Sequence, residues 1–257
     1  MSGRSASAFK PLIFVLIVLF GSISYAGSFS VYASPSESYQ REFVPPLDFD
    51  NVFYSRIIDY AASVDRVANV KRVSGAESAI LILVEFTDLN HSKSTSDISN
   101  IFFSRVNSYF VESSYNVTWV TGGSTDWLGL SKNLAYYGAD SGDSIDVKGY
   151  QFIQDSISAA NPYVNFKLYK HVMIVHAGYG QETTHVSTDI WSSHYYMSPP
   201  IYADGVGIDD VSVVPEAEIS GFDPTGVYAH EFAHGLGMPD LYNENDPNAE
   251  YVGRWDL

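Results

Sequence analysis

The chain has no cysteine in its 257 residues. That removes both disulfide bonds and thiolate metal ligands, so stability has to come from packing and bound ions. Basic residues are scarce too: 14 Lys and Arg stand against 30 Asp and Glu, for a formal net charge of −16. A surface of that sign repels a phosphate backbone, and no nucleic-acid partner is expected. Repeats and low-complexity tracts are also missing, which sets aside solenoid architectures.

What is present is core material, with 46% hydrophobic and 15% aromatic residues, enough for one sizeable domain with small additions. The N-terminus carries Arg4 and Lys10, an apolar run over 12–20, and small residues ending at Ser24-Tyr25-Ala26 or Val31-Tyr32-Ala33. This is the pattern of a secretory signal peptide. The competing reading is an uncleaved N-terminal anchor, for which 11–33 is long enough to span a bilayer. Either places the remainder outside the cytoplasm, secreted or held at the extracellular face. Three regions follow: 1–33 as signal or anchor, 34–77 as an N-terminal extension, and 78–257 as the main domain. Within the extension, Phe53, Ile57, Tyr60 and Val64 predict a helix over 52–68, read as an extra helix in preference to a short pro-segment.

The apolar run 79–86 predicts a strand buried on both faces. Ile98, Ile101, Phe102, Val106, Tyr109 and Phe110 predict a backing helix over 96–112, and 116–121 a second strand stopped by Gly122-Gly123. A helix over 147–160 and a strand over 168–176 come next. Between them, 128–146 is loop-rich and holds Asp140, Asp143 and Asp146, read as a solvated acidic loop with a calcium site as the other reading. His176, His185 and His194, with Glu182 and Trp191, fit no second helical metal motif and are expected to line a cleft or sit hydrogen-bonded in the core. Asp204, Asp209 and Asp210 are read as surface loop.

The chain is organised around 226–240. On a helix, His230 and His234 stand one above the other on one face and can address a single zinc ion. Glu231 lies about 100° further round, where its carboxylate serves as base for a metal-activated water and not as a ligand. Ala229, Phe232, Ala233 and Leu236 form the opposite, buried stripe. Asp223 suits the N-cap and Pro224 the first helical position. Gly235 and Gly237 end the helix, and Asp240 follows six residues after His234. The plain alternative is an amphipathic helix with two surface histidines.

The pattern His-Glu-x-x-His-x-x-Gly-x-x-Asp resembles the metzincin-like zinc peptidases, and more closely the immune inhibitor A family, whose third ligand position carries aspartate. The segment from Gly235 to Tyr242 and upstream stretches at 80–88, 104–115 and 176–182 carry the same resemblance. It implies a zincin-like α/β fold: a twisted, mainly parallel sheet with backing helices and an active-site helix over about 224–236. It implies His230, His234 and Asp240 as ligands of Zn2+ and Glu231 as the catalytic residue of a secreted zinc endopeptidase acting on protein or peptide substrates. It also implies that an edge strand, in the region of 176–194, pairs with an extended substrate. Trp255-Asp256-Leu257 resembles the approach to a methionine-containing turn, so the C-terminal part is expected to be truncated. Two rival readings stand beside this one: a non-catalytic zincin-fold surface or adhesion domain, and a hydrolase acting on other bonds. Retention of Glu231 favours the enzyme.

Overall fold

The structure is a computed structural model that describes residues 73–142, 144–219 and 223–240. The expected signal or anchor, most of the extension with its helix, Asp143 and the chain after Asp240 lie outside the described residues. Among the described residues no helix is long and apolar enough to cross a membrane.

Six strands form one sheet: β1 (Gly75–Glu85), β2 (Thr118–Ser124), β3 (Leu128–Gly129), β4 (His171–Tyr179), β5 (Ser193–Ala203) and β6 (Val206–Ala217). Their order is β2-β1-β4-β6-β5, with the short β3 also paired to β1. Every pairing is parallel except β5 with β6. The sheet is therefore mainly parallel, as expected, with one antiparallel edge strand. β1 has neighbours on both sides, and Ala79, Ile80, Leu81, Ile82, Leu83 and Val84 are all buried, which explains their unbroken apolar run.

Helices cover both faces. Thr95–Asn100, Ile101–Val106 and Asn107–Ser113 run on as one helix, α1, whose middle segment is π-helical. Ser94 and Asp97 close a capping box at its start. The predicted stripe is buried at Ile98, Ile101, Phe102, Val106 and Phe110, whereas Tyr109 turns outward. α1 packs with α3 (Thr225–Gly235) against Ala79, Leu81, Leu83, Met173, Val175 and Val214. On the opposite face, α2 (Gly149–Ala160) brings Phe152, Ile153 and Ile157 against Ile80, Ile82, Val84 and Ile174. Alternation along β1 and β4 thus feeds two separate cores, and α3 belongs to the first.

Three expectations need correction. Gly122 and Gly123 do not stop β2, which continues to Ser124. They pair with Ala79 and Ile80, and a Cβ on Gly122 would lie 1.8 Å from the Ala79 carbonyl oxygen, so glycine is what permits the close approach. The stretch holding Asp204, Asp209 and Asp210 is not loop. It is the β5–β6 hairpin, turned by Asp204 and Gly205, both with positive φ (51° and 75°), the two-residue turn that Asp-Gly favours. The acidic loop is not simply solvated: Asp146 is only 6% exposed, because its carboxylate accepts a hydrogen bond from the Trp191 amide while its own amide donates to Asp140.

Candidate metal centre

α3 reaches the sheet through Tyr228, Ala229, Phe232, Ala233 and Leu236, all buried. Phe232 meets Phe102 and Phe110 edge-on at ring-centre distances of 5.1 and 5.5 Å. Burying a side chain of this size stabilises by about 1.5–3 kcal/mol, so the helix is held by its apolar face and its polar face is free to be functional. At its start, Asp223 accepts from the Thr225 amide at 2.9 Å and from its hydroxyl, and pairs with Arg105. The expected N-cap at Asp223 and first helical position at Pro224 each fall one residue early: Pro224 is the cap residue, without a side-chain cap bond, and the helix starts at Thr225, whose amide Asp223 satisfies from outside the helix.

The other end of α3 places the third candidate ligand. Gly237 has φ +89°, its amide donates to the His234 carbonyl at 2.8 Å, and the Met238 amide donates to the Ala233 carbonyl at 3.0 Å. These two bonds make a Schellman turn with glycine in the left-handed position. The turn reverses the chain and brings Asp240 back over the helix. His230 Nε2, His234 Nε2 and Asp240 Oδ1 then form a nearly equilateral triangle, with edges of 3.2, 3.2 and 3.3 Å. Tetrahedral coordination with bonds of about 2.0–2.1 Å spaces ligand atoms by about 3.3–3.4 Å, so the triangle has the dimensions one ion requires. Among the described residues this is the only group of three His, Cys, Asp or Glu side chains whose ligand atoms converge. Asp140 and Asp146 do not come together with a third such group, and calcium finds no support there.

Chemistry agrees with geometry. His234 Nδ1 lies 2.9 Å from the Met238 carbonyl oxygen, an acceptor only, so Nδ1 carries the proton and Nε2 presents its lone pair to the centre. Asp240 Oδ1 is buried with no hydrogen-bond partner, an arrangement that a cation would satisfy. Glu231 is 6% exposed and stands beside the triangle, 4.0 Å from His230 Nε2. Burial, with the charges of Asp240 and Glu182, pushes its carboxyl up to about 8, within reach of proton exchange near neutrality.

Sequence reasoning missed the support beneath this centre. Ser212, on β6, donates its hydroxyl to the Glu231 carbonyl at 2.8 Å and lies 3.0 Å from His194 Nδ1 on β5. The pair ties the backbone of Glu231 to the sheet edge. His194 is buried, and burial together with His234 and His171 pushes it down to about 4, so it is neutral. His176 is a core histidine, fully buried between Phe86 and Phe152 with Nδ1 on the Ala177 carbonyl. His185 is exposed and joins neither group. Recognising Asp204-Gly205 as a hairpin turn would have revealed the β5–β6 edge that carries Ser212 and His194.

A helix bearing two convergent histidines and a buried glutamate, with a returning aspartate, has the form of a mononuclear metallohydrolase centre. Comparison with known proteins narrows this. Residues 166–257 match the family described as the immune inhibitor A peptidase M6 catalytic domain, the same family that the motif resembles. It is 27% identical to the Pre-pro-metalloprotease PrtV of Vibrio cholerae serotype O1, covering 60% of this chain and 21% of that protein. It is 28% identical to Immune inhibitor A of Bacillus thuringiensis subsp. alesti, covering 58% of this chain and 27% of that protein. The chain therefore spans well under a third of the length of these curated relatives.

Proposed function

We propose that this chain carries the catalytic centre of a secreted zinc metalloendopeptidase of zincin-like fold, with His230, His234 and Asp240 holding the ion and Glu231 acting as general base. The observation that carries the reading is the convergence of three ligand atoms at 3.2–3.3 Å beside a buried glutamate. Zinc suits two imidazoles and one carboxylate. When bound, it supplies Lewis acidity toward a peptide carbonyl and acidifies water.

The chain's own residues do the remaining work. Glu231 takes a proton from the attacking water at its carboxylate and later returns it to the leaving amine. Its buried position keeps competing solvent away, and the Ser212 bond to its carbonyl fixes the helix that bears it. His234 is held in one tautomer by Met238. The edge strand expected around 176–194 starts only at Ser193, since His176 to Tyr179 belong to interior β4; it is β5, antiparallel and at the sheet edge beside the cleft, that offers backbone to an extended peptide. The match to a family named for peptidases supports peptide bonds as the target, and the N-terminal pattern supports export.

The test is digestion of a peptide library by the full-length gene product, with and without a chelator, alongside the Glu231→Gln variant. Cleavage that the chelator abolishes is expected. Glu231→Gln is expected to keep one zinc by elemental analysis while losing turnover by a factor on the order of a thousand or more. Near-normal turnover by a zinc-loaded variant would refute the mechanism.

A further inference from the structure

A cavity of about 650 Å³ lies away from the metal centre, between two connections: one runs from the end of β2 into β3, over 124–128, and the other from α2 toward β4, over 163–169. Ile80 and Val164 in its wall belong to the core on the α2 side of the sheet, whereas α3 packs on the other core. No residue of this cavity borders the ligand triangle. Its volume falls within the range of about 300–1,000 Å³ typical of small-molecule sites.

Both connections are fixed by bonds of their own. Thr125 Oγ1 accepts from the Leu83 amide at 3.0 Å, and Phe166 is buried with its amide donating to Asp204 at 2.9 Å. Trp127 stacks on His91, ring centres 4.6 Å apart and planes within 4°, and donates its Nε1–H to the Lys93 carbonyl at 2.9 Å. The wall is therefore set before a ligand arrives, which keeps the ordering cost of binding low.

The composition of the wall selects the ligand. Trp127, Tyr163 and Tyr169 stand in it with Leu128 and Leu168. Tyr163 is 75% exposed and Leu168 65%, so both offer surface that the core does not use. Beside these lie the Tyr163 and Tyr169 hydroxyls and the exposed Asn165 amide and Asp126 carboxylate. An anion would meet Asp126 with no Lys or Arg in the wall, on a chain of net charge −16. A wholly apolar ligand would strip water from Asp126 and Asn165 and return no partner. A single ammonium group could sit over the rings, but it would fill only a small part of the space. A neutral sugar satisfies both halves of the wall. Its C–H faces are weakly electropositive and lie against the negative face of an aromatic ring, while its hydroxyls donate to the carboxylate and exchange bonds with the amide and phenols.

We propose that this cavity binds neutral carbohydrate, with Tyr163 as the stacking platform and Asp126 as acceptor for the sugar hydroxyls. The site is independent of the metal centre and of the peptidase reading. It would hold the protein on a sugar chain while the cleft at α3 stays open. The same chemistry is offered by a free oligosaccharide and by a glycan carried on a protein.

The experiment is calorimetric titration of the full-length gene product with β-linked trisaccharides of glucose, mannose and N-acetylglucosamine, and with a mannose-bearing glycoprotein before and after enzymatic deglycosylation. At least one of these sugar probes is expected to bind. Binding of the glycoprotein that disappears on deglycosylation would identify a protein-borne glycan, and binding of trisaccharides alone a free oligosaccharide. Tyr163→Ala and Asp126→Ala, both at exposed positions that the fold tolerates, should each weaken binding on the order of tenfold. Glu231→Gln and chelator-treated protein should bind as wild type does. Silence of every sugar probe, affinity unchanged in both variants, or loss of binding on chelation would overturn the assignment. So would binding of choline or of an acetylated Leu-Phe amide, sensitive to Tyr163→Ala, in place of the sugars.

Discussion

Strands β1 and β5 have the same length, 11 residues each, and belong to the same sheet. Beyond that they differ at every level. β1 is flanked by β2 and β3 on one side and β4 on the other, and six consecutive residues, Ala79 to Val84, are buried. β5 pairs only with β6 among the described strands and buries Met197, Ile201 and Ala203, while Tyr196 and Tyr202 are each 73% exposed. It even contains two consecutive prolines, Pro199 and Pro200, which the hydrogen-bond ladder of an interior strand disfavours. The interior strand is specified by its own side chains; the edge strand is specified by its hairpin and its partner. Function gathers at the second kind, where backbone and side chains remain available to a substrate.

The largest effect should come from testing that contrast directly. Leu81 is fully buried at the centre of β1, and Leu81→Ala is expected to cost about 3–5 kcal/mol of stability through lost burial and the cavity left behind. Tyr202→Ala, at an exposed position of β5, should stay within about 0.5 kcal/mol. Urea unfolding midpoints of the two variants measure the gap. Comparable losses would mean that β5 is held by its own side chains after all.

The same contrast explains what could be read from the sequence. Unbroken or helically spaced apolar residues identified β1, α1, α2 and β4, because burial on one or two faces leaves a local periodic signature. The grouping of His230, Glu231 and His234 was legible because helix geometry converts a fixed spacing into a fixed constellation, whereas Asp240, beyond the helix, was expected there from the family resemblance. Ser212 and His194 were not, since a serine on β6 meeting a histidine on β5 depends on strand register, which no local pattern states. Gly122 misled for a related reason: a glycine that breaks a lone strand is required where two strands crowd. Asp146 was misread because polar residues are presumed solvated, yet the Trp191 amide of a distant loop donates to one of its oxygens and the carboxylate is buried.

Next in size is the return of Asp240. If the turn at Gly237 delivers the third ligand, Asp240→Ala should weaken zinc binding by on the order of a hundredfold, about 2.7 kcal/mol, comparable to His234→Ala. Competition with a chromophoric chelator gives the affinities. Wild-type affinity in Asp240→Ala would move the third ligand elsewhere and leave the 3.2–3.3 Å triangle without a function.

The smallest effect concerns how the edge side of the molecule is held. Asp146 is as buried as a core residue, but it lies in a loop and fastens Trp191, two residues before β5, through a hydrogen bond of 2.9 Å. Burial, reinforced by the charges of Asp140 and Glu182 and opposed by the Trp191 amide, raises its carboxyl from 3.8 to about 7. The folded chain therefore binds a proton there that the unfolded chain has released. Between about pH 4 and pH 7 this group makes stability fall as pH rises, and above pH 7 its contribution is constant. His194, pushed down to about 4, acts in the opposite sense over part of the same range, since below its ordinary value the unfolded chain takes up the proton. Comparing wild type with Asp146→Asn at each pH cancels that and every other shared titration. The stability of Asp146→Asn relative to wild type should rise from pH 4 to pH 7 and then level off. The change is read from urea midpoints taken at half-unit pH intervals. A flat difference across the window would show that Asp146 titrates alike in the folded and unfolded chain, and that the loop before β5 holds it exposed to water.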